Sequence, residues 1–105
     1  NSESASANNN LASFYLSLTE PIVKKLNDTH YSKSSKIASL EGQIEELHKK
    51  ALPYLIKYTQ IKENQVSEGI GTYDKAALNT LATIYYGLGM DDESKKVRNF
   101  LNSLK

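Results

Sequence analysis

The feature that most constrains this chain is an apolar stripe running through its middle. Ile37, Leu40, Ile44, Leu47, Ala51, Tyr54 (or Leu55), Tyr58 and Ile61 recur every three or four residues. That spacing follows the turn of an α-helix and keeps these side chains on one face over about seven turns. The other face carries Lys36, Glu41, Glu45, Glu46, Lys49, Lys50 and Lys57. Glu45–Lys49 and Glu46–Lys50 stand four apart in the order that favours a helix. The stripe predicts a helix from Lys33 to Lys62, about 45 Å long. An isolated amphipathic rod of this kind is unstable in water, so other helices must cover its seam. Pro53 lies inside the stripe, but the phase holds on both sides of it, which predicts a kink and no clean stop.

The rest of the chain supplies the covering helices. Residues 1–9 are small and polar, without an apolar period, and a flexible lead-in is expected there. Leu11, Tyr15, Leu18, Ile22 and Leu26 then share one helical face, interrupted at Pro21, where a kink or a restart capped by Thr19 is expected. Asn27 to His30 ends that helix and Asp28 to Ser32 makes the bend. Residues 63–72 form a loop through Asn64, Ser67, Gly69 and Gly71, with Thr72 as the cap of a third helix. That helix shows Ala77, Leu78, Leu81, Ala82, Tyr85 and Leu88 and stops at Gly89. A fourth opens on Asp91, Asp92 and Glu93, which suit the positive end of a helix dipole, and carries Val97, Phe100, Leu101 and Leu104. The expected fold is all-α, made of antiparallel helix hairpins: one domain over 10–105, with an elongated hairpin at 10–62 and a shorter unit at 72–105.

The segment from Leu78 to Ser94 resembles a tetratricopeptide (TPR) repeat. Leu78, Leu81 with Ala82, Tyr85, Gly89 and Ser94 stand where that family places a large apolar residue, a Leu–small pair, a tyrosine, a turn glycine and a small residue. Ala82 and Ser94 are small where two antiparallel helices would cross closely, and Gly89 suits a left-handed helix end. Arg98 and Leu101 depart from the aromatic and small residues usual on the second helix. Leu11-Ala12 with Tyr15, and Ala51-Leu52-Pro53-Tyr54-Leu55, echo the same pattern upstream. Tyr15 to Ala51 spans 36 positions where Tyr85 to Ser94 spans 9. The difference lengthens each arm of the first hairpin by about 13 residues, three to four turns. The layout is similar to the C-terminal ends of TPR proteins common in Bacteroidetes. The resemblance implies a right-handed α-α stack. It also implies a partner held against the first helix of each hairpin, at Asn79, Thr83 and Tyr86 in the second unit and Asn9, Ser13 and Leu16 in the first. The basic–asparagine cluster with which TPR domains clamp a peptide carboxylate is missing from those positions, which argues against a chaperone-tail ligand.

Composition narrows the function from the other side. Thirteen basic residues against twelve acidic give a net charge of +1, without the broad positive field of a nucleic-acid binder. There is no cysteine, hence no disulfide and no thiolate chemistry. No apolar run approaches the length of a membrane span, so no membrane insertion is expected. His30 and His48 are 18 apart, too far to share one helical turn as ligands, and no metal or other cofactor is expected. Neither a Gly-x-Ser-x-Gly turn nor a phosphate-binding glycine loop occurs, and Gly69-Ile70-Gly71 is loop chemistry. Lys24-Lys25, Lys49-Lys50 and Lys95-Lys96 are offset by nearby acids and belong to solvated faces. The expectation is a non-catalytic scaffold for a protein or peptide partner. The alternative is a closed four-helix bundle serving as a structural or oligomerisation domain. Two repeats fall short of the three that usually stand alone, so a homodimer or packing on upstream repeats is the expected complement. The same shortfall of repeats leads to the expectation that the chain is the C-terminal end of a longer array, and Asn1, not being a methionine, to the expectation that the natural start has been removed.

Overall fold

The computed structural model describes residues 4–104. They form five helices and no strand: α1 (Ala5–Ser17), α2 (Glu20–Asp28), α3 (Ser34–Ser67), α4 (Lys75–Gly87) and α5 (Asp91–Ser103). The long third helix is the spine. Helices α1 and α2 run back along it as the two pieces of one arm, and α4 packs on it and pairs with α5. The result is an all-α arrangement of helix hairpins, drawn out to 53 × 30 × 18 Å.

Several boundaries move from where the apolar pattern puts them, each for a local reason. Helix α1 starts at Ala5, so most of the expected lead-in is helical; residues 1–3 lie outside the described residues. Ser4 caps it by accepting the Ala7 N–H at 3.2 Å, and Asn8, only 6 % exposed, donates to the Ser4 carbonyl at 2.8 Å. The amide of Asn8 buries there with its donor engaged, without adding to an oily stripe. At Pro21 the arm restarts. Thr19 occupies the cap position of α2, but its hydroxyl donates backwards to the Leu16 carbonyl at 2.6 Å and caps nothing. Pro53 leaves α3 unbroken, and the helix runs on to Ser67, past the expected end at Lys62.

Helices α3 and α4 end alike. Gly69 (φ +79°) and Gly89 (φ +78°) take the left-handed conformation open to glycine. The following residues close the ends: Ile70 N–H bonds the Gln65 carbonyl at 2.7 Å, and Met90 N–H the Tyr85 carbonyl at 2.8 Å. Asp74, not Thr72, caps α4, accepting the Ala77 N–H at 2.9 Å.

Ala12, Leu55, Tyr58, Leu81, Ile84 and Tyr85 form the core, contributed by α1, α3 and α4 together. Leu55 takes the buried place at the fork in the stripe, while half-buried Tyr54 stacks on Tyr15 with ring centroids 6.0 Å apart. Between α4 and α5 the small residues do the close packing. Ala82 is 0 % and Ser94 3 % exposed, and the Ser94 hydroxyl donates to the Ala82 carbonyl at 2.8 Å.

Candidate functional site

The side of α1 next to its buried Ala12 carries Asn9, Ser13 and Leu16, one helical face by their spacing of four and three. Across from them stand Ala76, Ala77 and Thr80, from the first two turns of α4. Leu55 of α3 closes the floor of the resulting groove, whose volume is about 200 Å³. The first helices of the two hairpins therefore share one groove. Its polar groups are one amide, two hydroxyls and the Asp74 carboxylate at its edge, set above apolar walls.

Of the six expected contact residues, Asn9, Ser13 and Leu16 come together there, and Asn79, Thr83 and Tyr86 do not. The latter lie on the solvent ridge of α4, with Tyr86 69 % exposed. Arg98 of α5 reaches over that ridge. One guanidinium N–H group donates to the Asn79 side-chain carbonyl at 3.4 Å and another to the Thr83 hydroxyl at 3.5 Å. Thr83 also donates to the Asn79 backbone carbonyl at 3.0 Å. Of the α4 wall of the groove, Ala77 belongs to the apolar stripe of that helix, whereas Ala76 and Thr80 lie off it and carried no signal in the sequence.

At the edge of the groove sits Asp74, with both carboxylate oxygens engaged. The Tyr58 hydroxyl donates to its carboxylate at 2.6 Å, and the Ala77 N–H to its other oxygen. The Tyr58 hydrogen bond, then that backbone bond, hold the Asp74 carboxyl below its ordinary value. The same bond to Asp74, aided by burial, pushes the Tyr58 phenol up to about 12. This pair anchors the first turn of α4 to α3 and so fixes the wall of the groove.

The two histidines are far apart in role. His48 is half-buried and burial lowers its pKa, whereas exposed His30 stacks on Tyr31 at 4.5 Å and accepts the Ser32 N–H. Among the described residues no group of three or more histidines and carboxylates is placed to hold a metal, and no helix is long and apolar enough to cross a membrane. Comparison with family models, curated proteins and solved structures gives no match. The geometry is what bears on function.

One surface was not anticipated as a feature. Leu11 and Phe14 of α1 and Leu18 at its C-terminal cap are exposed, with Val23 exposed on α2, and Phe14 is 56 % open to solvent. Leu11 and Leu18 were expected on the covering face with Tyr15, but Tyr15 packs on Tyr54 while Leu11 and Leu18 stay open beside Phe14, and nothing in the described chain covers them.

Proposed function

We propose that this chain is a non-catalytic interaction scaffold of the TPR type, which holds a protein or peptide partner on the face made by the first helices of its hairpins. The observation that carries this reading is the groove between α1 and α4, walled by Asn9, Ser13 and Leu16 against Ala76, Ala77 and Thr80. The close crossing at Ala82 and Ser94, the left-handed Gly89, and the matching burial of Ala12 and Ala51 in the longer hairpin support the repeat character. A rigid groove between helices binds without paying for its own ordering, which is how stacked helix pairs recognise extended or helical segments. The expected outcome of filling the groove with Ser13→Trp and Thr80→Trp is loss of a partner captured by the unaltered chain, with an unchanged thermal melt. Lys36→Trp, on the exposed face of α3, should leave capture intact. Capture that survives the double substitution would remove the groove from consideration.

The exposed Leu11, Phe14, Leu18 and Val23 favour a second reading, an association domain that pairs through α1 and α2. It predicts a mass in light scattering that doubles with concentration, and a Phe14→Glu variant that stays monomeric. A chain that is monomeric at all concentrations rules that reading out.

A further inference from the structure

A second groove lies on the other side of the α4 ridge, between the first turns of α4 and the C-terminal half of α5. Lys75, Asn79, Arg98, Leu101 and Asn102 line it, around a volume of about 450 Å³. It holds two cations and two amides over one aliphatic side chain, and no carboxylate. This composition follows from the antiparallel pairing. The acids of α5, Asp91, Asp92 and Glu93, are all in its first turn, at the far end from Arg98 and Asn102. Asp74, the acid nearest along the chain to Lys75, has both oxygens taken, one by the Tyr58 hydroxyl of α3 and the other by the Ala77 N–H in the first turn of α4. Glu63 borders the opposite side of the hairpin, beside Lys96 and Phe100. Among the described residues, neither Lys75 nor Arg98 is paired with a carboxylate.

Arg98 is nevertheless not loose. Its contacts to Asn79 and Thr83, at 3.4 and 3.5 Å, aim the guanidinium across α4 while leaving most of its five donors unfilled. A planar fork held by neutral acceptors is arranged to exchange those long contacts for the shorter, charge-assisted bonds a carboxylate offers. We infer that this α4–α5 groove is an anion-binding site that takes a carboxylate of an acidic peptide, with Arg98 as the fork and Lys75 as the second cation. Asn79 and Asn102 supply amide donors beside it. The Leu101 floor and the room around it favour a carboxylate on an aliphatic stem over an inorganic ion, which would leave that surface wet. The site stands apart from the α1–α4 groove: it uses the opposite flank of α4 and holds whether or not that groove binds anything.

The experiment is a titration of the isotope-labelled intact chain, at low ionic strength, with an acetylated peptide of alternating glutamate and leucine. Its glutamine–leucine counterpart is the neutral control, and inorganic phosphate a separate titrant. Amide shifts should concentrate at Lys75, Asn79 and Arg98 to Asn102, weaken as salt is raised, and be absent with the neutral peptide. Arg98→Gln and Lys75→Gln should each weaken binding by about tenfold, with Arg98→Lys in between, as expected for losing a fork but keeping a charge. Circular dichroism should show all three variants folded, because these side chains are not part of the core. Shifts scattered over the surface, equal binding of the neutral peptide, or an Arg98→Gln variant that binds normally would each overturn the assignment. Tighter binding of phosphate than of peptide at the same residues would overturn the carboxylate as its ligand.

Discussion

Tyr58 and Asp74 show how one side-chain bond can hold two elements in register. The tyrosine belongs to the buried stripe of α3, yet its hydroxyl ends on the residue that caps α4, 16 positions further along. Tyr58→Phe keeps the ring and removes the bond, so the expected loss is about 1–2 kcal/mol, the range for a hydrogen bond to a charged group that is only partly buried. The pH dependence follows from two shifts of opposite sense. Tyr58 titrates near 12 in the fold, above its ordinary 10, so its bond contributes fully below pH 10 and is lost as pH rises through about 12. Asp74 is depressed in the fold, so its contribution is present above the ordinary carboxylate value and is lost as pH falls through the lower folded one. Melting temperatures of the parent and Tyr58→Phe chains should therefore differ most across the neutral range and converge at both extremes. A constant difference from acid to alkali would mean that the substitution acts through packing alone.

At the scale of elements, what the sequence made legible was whatever announces itself by period or by punctuation. The α3 stripe, the bend near residues 28–32, the stop at Gly89 and the small pair Ala82 and Ser94 all carry a local signature, and the structure has each of them. The start of α1 carried none, since Ser4 and Asn8 build it from polar side chains that satisfy one another and the backbone. Thr72 and Asp74 are both capable caps, and Tyr58, distant in sequence, accompanies the choice of Asp74. For the candidate site, the residues of the α1 wall came only from the resemblance to a repeat, while Ala76, Ala77 and Thr80 depended on how α4 lies against α1. Arg98 looked like a departure from a repeat pattern, and only the pairing of α4 with α5 brought it over Asn79. Two glycines test how far local conformation governs these elements. Gly42 lies inside α3 with open space where a Cβ would go, so Gly42→Ala should stabilise by about 0.5–1 kcal/mol. Gly89 has the same open space but a φ of +78°, and Gly89→Ala should cost about 1 kcal/mol from backbone strain. Denaturant midpoints moving in opposite directions are the expected result; both moving down would mean that α3 at Gly42 is not the regular helix described.

Across the whole molecule, stability is distributed unevenly along the spine. The shared core draws one buried residue from α1, two from α3 and three from α4, so the two hairpins are joined where α3 passes between them. Beyond that region the elongated hairpin has little to hold it. Helix α2 contains no buried residue, and Leu40 is the one buried position of α3 before Ala51. The long arm thus combines a cooperative root with a tip held mostly by backbone hydrogen bonds and half-buried contacts, the condition under which part of a fold opens without the rest. Hydrogen exchange should show strongest protection around residues 51–62 and 77–86, and weaker protection through α2 and residues 34–47. Ile84→Ala removes a side chain that is only 2 % exposed, at an expected cost of about 2–5 kcal/mol. Because the core is common, that substitution should lower protection in α1, α3 and α4 together, in a single unfolding transition. The tip should keep its parent exchange rates, since it already opens by a route that leaves Ile84 in place. Uniform protection along α3, or a variant in which α4 and α5 melt while α1 stays protected, would show that the hairpins are separate units and that the α1–α4 groove is not a rigid surface.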